Sequence, residues 1–239
     1  LRSLNNLKNR ESYNMLPGSD LHIFMDNTGF KTVNESEYVT LVTDVLGDVV
    51  GDYESFRGLG YLLPDPNQVS YWAEAFRPKT DKHLVGISWR SSLNTYSRSE
   101  HYLSVQDLIP VFELDFIQFV NFQYDECSQE LQWIEERYPG KIIHFAELDQ
   151  FNDLEGVAAL MSCMDLMISP ATTVVELAGA VGVTTLLVSN SSELHWRKKP
   201  GTVTDVWHNS IQHVEGSVLG NKASVVEALV QALKIAFHQ

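Results

Sequence analysis

The stretch Asp165 to Val188, DLMISPATTVVELAGAVGVTTLLV, constrains the fold of this chain more than any other. It reads as strand, tight turn, helix, turn and strand, with no residue to spare. Leu166, Met167 and Ile168 form a short apolar run bounded by Asp165 and by Ser169-Pro170, the pattern of a strand buried on both faces of a parallel sheet. Pro170 ends that strand. Thr172 or Thr173 then caps a helix whose apolar positions Val174, Leu177, Ala178 and Val181 recur at helical spacing and stop at Gly182. Gly179 and the neighbouring alanines let this helix lie close to the sheet. Thr184 to Val188 supplies the next strand, and a unit this short closes as a right-handed parallel crossover. It aims the helix N-terminus past the carboxyl end of the first strand. That end attracts anions, which points to a phosphate-bearing ligand.

The rest of the chain extends the same alternation. Leu84 to Trp89, Phe116 to Phe122, Lys141 to Phe145 and Ile211 to Val214 are strand-like. Val105 to Phe112, Ser128 to Tyr138, Asn152 to Met164 and Lys222 to Phe237 are helix-like, with Pro139-Gly140 as one stop. Residues 82–239 therefore predict a Rossmann-like, doubly wound α/β domain with a parallel sheet. Residues 1–81 predict a reduced N-terminal α/β portion and connector. It holds a strand at Leu21 to Met25, a helix around Ser36 to Leu46, the connector Leu62-Leu63-Pro64-Asp65-Pro66 and a helix from Asn67 to Phe76. No repeat of twenty to fifty residues is visible.

Composition narrows the functions open to such a domain. Thirty-one acidic residues against seventeen Lys and Arg give a formal charge of −14, which opposes binding to nucleic acid. Cys127 and Cys163 lack metal-ligand or disulfide spacing and read as buried or half-buried thiols. The eight histidines are scattered, and no HExxH, Walker A or complete GxGxxG occurs, so no metal site is expected. No apolar run approaches the ~20 residues of a membrane span, and no signal sequence opens the chain. A cytoplasmic location follows as the expectation, with peripheral attachment at an inner membrane left open. Leu1 in place of a starting Met suggests a processed chain or a piece of a longer one.

Ligands of such sheets bind beyond the carboxyl ends of the strands, so the residues just past each strand are the candidates. After the first come Ser88, Trp89, Arg90 and Ser91. Arg90 is a candidate phosphate clamp, against the alternative of a solvated side chain in a polar loop. After the second lies Gln123. After the third lies the run Glu147-Leu148-Asp149-Gln150-Phe151-Asn152-Asp153, where carboxylates such as Asp149 could accept from ribose or sugar hydroxyls and Leu148 or Phe151 could lie against a base. The alternative is a helix cap at Asn152 or Asp153 among loop polars. After the fourth lie Ser169, Thr172 and Thr173, a small, hydroxyl-rich turn that lets a diphosphate approach the amides. There Thr173-Val174-Val175-Glu176 also fits a capping box that would account for Thr173 and Glu176 without a ligand. His195-Trp196-Arg197-Lys198-Lys199 is a dense basic run, open to phosphate or acceptor contact through Trp196 and Arg197, or to a solvated loop.

Several runs coincide with one family. Val85 to Arg90, Phe151 to Leu154, Met164 to Pro170 and Thr172 to Gly182 resemble the C-terminal half of heptosyltransferase-like, family 9 glycosyltransferases, including those attached to tetratricopeptide repeats in bacteria. Gly60 to Pro66 before Tyr71-Trp72 looks like their interdomain connector. The resemblance implies a GT-B architecture and an inverting, metal-independent transfer from a nucleotide sugar, held as substrate with no cofactor. Arg90 and the helix amides would stabilise the departing nucleoside diphosphate, and the acceptor would be a glycan, a lipid-linked sugar or a protein. Upstream tetratricopeptide repeats are an implied partner. Ala171 stands where the family carries Asp, and Glu176 where it carries His; Thr172 is kept. The family's Gly-rich acceptor loop and acid/base carboxylate are not found in residues 1–81, where Asp26, at the carboxyl end of the 21–25 strand, is the nominee for general base. These departures keep a second class open, a noncatalytic binding or scaffold domain that retains the fold.

Overall fold

The structure is a computed structural model that describes residues 57–76, 81–92, 99–190 and 193–238. Asp26, the predicted elements at 21–25 and 36–46 and the reduced N-terminal portion lie outside the described residues. Phe56–Gln239 form one compact unit.

Its elements follow the alternation read from the sequence. In chain order they are α1 (Pro66–Phe76), β1 (His83–Ile87), α2 (Ile109–Phe112), β2 (Ile117–Asn121), α3 (Ser128–Arg137), β3 (Ile142–Ile143), α4 (Leu154–Met161), β4 (Leu166–Ser169), α5 (Thr173–Val181), β5 (Thr185–Leu187), a 3-10 turn at His195–Arg197, β6 (Ile211–His213) and α6 (Lys222–Ala236). The predicted helix at 105–112 is helical only from Ile109. Pro110 explains this, because proline fits the first turn of a helix and breaks its interior. The strand expected at 141–145 pairs only at Ile142 and Ile143, on the edge of the sheet.

All six strands run parallel in the order β3-β2-β1-β4-β5-β6. In register, Val85 stands opposite Phe119 on one side and Leu166 on the other. Successive side chains of a strand face opposite sides, so Leu166 and Ile168 join one core and Met167 the other. The first core packs α2, α3 and α6; the second packs α1, α4 and α5. Each fully buried Ile, Leu or Phe contributes roughly 1.5–3 kcal/mol by leaving water. Trp72 and Phe76, one helical turn apart on α1, close the second core over Phe145, with ring centroids 4.9 and 5.4 Å away. The connector is strapped to the end of α5, where the Tyr61 and Leu62 amides both donate to Ala180 O, at 2.7 and 2.9 Å.

α5 ends as its sequence predicts. Gly182 takes the left-handed conformation (φ 91°), and the Val183 amide turns back to Ala178 O at 3.0 Å. Gly179 serves a different purpose from the one expected, because the space its missing Cβ leaves is filled by the imidazole of His208. Among the described residues no helix is long and apolar enough to cross a membrane.

Candidate functional site

Strand order reverses between β1 and β4, and the carboxyl ends of those strands open the crevice in which such sheets hold ligands. Ser88 and Ser169 lie at its base. Both are buried, with their hydroxyls 3.0 Å apart; Ser169 Oγ donates to Pro170 O at 2.9 Å, so Ser88 donates to Ser169. These two hydroxyls knit the strands together.

Past β1, the candidates are committed to the protein. Trp89 is 2% exposed, with its amide donating to Gln123 Oε1 at 3.0 Å and its indole Nε1 to Glu130 Oε1 at 2.8 Å. Gln123 also accepts the Arg90 amide at 3.1 Å, and its Nε2 donates to Arg90 O at 2.9 Å and Asp125 Oδ1 at 2.7 Å. It is a bracket for the loop. Arg90 is neither a free clamp nor a solvated side chain. Its Nε and Nη2 grip Glu130 at 2.8 and 2.6 Å, Nη1 meets Asp125, and Nη2 also reaches Glu126 O at 2.9 Å. The bonded Glu130 raises its pKa above the ordinary arginine value against the opposing effect of burial. Ser91 and Ser92 bond the Tyr124 hydroxyl.

The turn past β4 leaves an open helix end. Thr172 is the N-cap in extended conformation, and its side chain makes no capping bond. Its amide donates to Pro170 O at 2.8 Å and its Oγ1 lies 3.5 Å from Ser169 Oγ. Among the described residues the amides of Thr173 and Val174, the first two of α5, meet no protein acceptor. The predicted capping box is not formed, because Glu176 turns away to Arg197.

Beside that helix end lies a groove of about 240 Å³ between the N-terminal halves of α4 and α5. Its walls are Phe122, Tyr124, Phe151, Leu154, Val157 and Leu177, with Gln150, Thr173 and Val174 completing it. Phe151 is 66% exposed, and its ring centroid stands 6.3 Å from that of Tyr124. Gln150 Nε2 donates to Asn121 O at 2.8 Å, which fixes the amide and leaves Oε1 buried without a partner. Asp149 shapes the approach by accepting the Phe151 and Asn152 amides, each at 3.1 Å, while Asp153 caps α4 through Gly156 N at 2.9 Å. Leu148 is buried in the core and does not face the groove.

A charge cluster backs α5. Arg197, read in the sequence as part of an exposed basic run, is 7% exposed; its Nε donates to Asp205 Oδ2 at 2.9 Å and its Nη1 to Glu176 Oε1 at 2.6 Å. His213 Nε2 lies 3.0 Å from the same Asp205 oxygen, and His208 Nε2 lies 3.7 Å from Glu176 Oε2. Burial alone would raise the Glu176 pKa, but His208 and Arg197 hold it below the usual carboxylate range. Trp196 stands exposed on the 3-10 turn beside Arg197.

The structure thus brings Phe151 and Thr173 together at one groove, with Thr172 beside it, and spends Ser88, Trp89, Arg90, Gln123, Ser169 and Arg197 on holding the surroundings. Tyr124, Asp205, His208 and His213 carry no motif in the sequence, whereas Gln150 lies in the run past the third strand. Leu177 was legible only as an apolar helix position. Cys127 and Cys163 are free, and burial pushes the Cys127 thiol up to about 11. Among the described residues no three His, Cys, Asp or Glu side chains converge to hold a metal ion.

No protein-family model matches the chain. It is 28% identical over 177 residues to "Protein FlbA" of Caulobacter vibrioides, a match spanning 74% of this chain and 29% of that protein. Among solved structures it is similar to the ADP-heptose LPS heptosyltransferase II of E. coli, with TM-score 0.50, 14% identity and 75% of this chain against 54% of that one. It is also similar to a family 9 glycosyltransferase of Veillonella parvula, with TM-score 0.56, 14% identity and 82% of this chain against 58% of that one. The chain spans less than a third of its curated relative and a little over half of each solved chain. The described unit therefore carries the Rossmann-like fold of heptosyltransferase-like, family 9 glycosyltransferases of the GT-B class.

Proposed function

We propose that this chain holds the nucleotide of a nucleotide-sugar donor for a glycosyltransferase, with the sugar destined for a glycan, a lipid-linked sugar or a protein. One observation carries the proposal: an aromatic groove about the size of a nucleoside runs up to two open amides at a helix N-terminus. The base would lie against Tyr124, Phe151 and Leu177. Its phosphates would meet the Thr173 and Val174 amides, where the helix dipole adds roughly half a positive charge. Those amides would favour departure of a nucleoside diphosphate as charge builds on the leaving oxygen. Arg90 acts in this scheme as a positioning residue that fixes the loop past β1. Deprotonation of the acceptor hydroxyl falls to a carboxylate, for which Asp26 remains the nominee, and no metal is required. An upstream repeat partner and a cytoplasmic site at the membrane surface fit the same role.

The test is calorimetric titration of uridine and adenosine diphosphates and their sugar conjugates into the wild-type chain and Thr173→Trp. Thr173 is exposed, so the indole fills the groove mouth without disturbing the core. Wild type should bind at least one nucleotide and Thr173→Trp should lose at least tenfold in affinity, about 1.4 kcal/mol. Absence of binding by every nucleotide would sink the proposal. A noncatalytic binding role is favoured by a specific observation, the pairing of both Arg90 and Arg197 with carboxylates, and it is distinguished by nucleotide binding without sugar transfer.

A further inference from the structure

The open end of α5 carries a feature that works against its own attraction for anions. Glu176 lies in the first turn of that helix, three residues from Thr173, a spacing that puts Cβ atoms about 5–6 Å apart. Its carboxylate, turned toward Arg197 and His208, is nearly half exposed and is held ionised, and it sits within one helical turn of the Thr173 and Val174 amides. Arg197 divides its charge between Glu176 and the fully buried Asp205, with the His208 imidazole 3.7 Å from Glu176 and the His213 imidazole 3.0 Å from Asp205. Arg90, on the other side of the switch point, is likewise spent on Asp125 and Glu130.

We infer that Glu176 is a specificity-determining residue that limits how much negative charge the α5 end accepts, with Arg197 acting as the tether that keeps its carboxylate in place. The inference rests on the nucleotide site proposed above. Under it, the second phosphate of a nucleoside diphosphate adds little affinity in the wild-type chain. Removing the Glu176 charge while keeping its bond to Arg197 makes that phosphate count.

The experiment measures affinities of adenosine and uridine, their 5′-monophosphates and their 5′-diphosphates for wild type, Glu176→Gln and Glu227→Gln at one fixed salt concentration. Glu227, exposed on α6, changes the net charge by the same amount away from the site. The ratio of diphosphate to monophosphate affinity should rise at least tenfold in Glu176→Gln and stay level in Glu227→Gln. Nucleoside affinity should be the same in all three. An unchanged ratio in a Glu176→Gln protein that binds nucleotides would overturn the inference and leave the nucleotide site standing. An equal rise in Glu227→Gln would also overturn it, since the effect would then be one of overall charge. Failure of all three proteins to bind any of the six ligands would overturn the nucleotide site itself. Circular dichroism and melting of each variant establish that the fold is retained.

Discussion

Gly179 faces the imidazole of His208 so closely that a Cβ at that position would overlap ring atoms. The overlap extends to the His208 Cβ, so turning the ring does not relieve it, and Tyr61 stacks on that ring at 6.2 Å. Gly179→Ala should therefore cost about 1–3 kcal/mol, the usual penalty of overpacking, and lower the melting temperature by several degrees. An unchanged melting temperature would mean that His208 moves aside freely, and that the packing between connector and α5 is looser than described. The sequence marked Gly179 as a small residue in a helix. It did not mark His208 as the reason, because the two meet only after the chain has passed through β5 and the 3-10 turn. Arg90 and Arg197 went the same way. Each looks from its neighbours like a free cation, and each is claimed by carboxylates that tertiary structure brings in, Glu130 forty residues along from Arg90 and Glu176 twenty-one residues before Arg197.

Between elements, Asp205 ties the 3-10 turn and β6 together beside α5. It is fully buried and accepts from Arg197, His213 and the Trp207 and His208 amides. Burial would raise its pKa, but the bonds from His213 and Arg197 outweigh it and hold the carboxyl below its ordinary value of 3.8. A lowered folded-state pKa contributes stability that is whole above the ordinary value and is lost as pH falls through the folded one. Asp205→Asn should cost about 3–5 kcal/mol near neutral pH, because Arg197 keeps its charge and loses its buried partner. Urea unfolding near neutrality and at about pH 3 checks this: the gap from wild type should narrow at the acid end, and a gap of constant size would contradict the assignment. The elements themselves were legible because apolar periodicity and breakers are local signals. Pro110 trimmed α2, and the edge position of β3 left only two of its five expected residues paired.

At the scale of the molecule, a chain with a formal charge of −14 leaves two helix amides open at the carboxyl rim of one parallel sheet. Two of the groove's walls, Thr173 and Phe151, lie just past strand ends that the sequence itself marks. Gln150 lies in the same run as Phe151, whereas Tyr124 and Leu177 come from separate segments and share no spacing that marks them as walls. The fold is similar to that of a solved heptosyltransferase II and a solved family 9 glycosyltransferase over a little more than half of each of those chains. The most direct measurement is a backbone amide NMR titration of the intact chain with a nucleoside diphosphate. The account predicts that the largest shifts fall on Tyr124, Phe151, Thr173 and Val174, with Lys141 at the opposite end of the sheet unmoved. Shifts centred on Lys141, or saturation with no change at Thr173 and Val174, would contradict it.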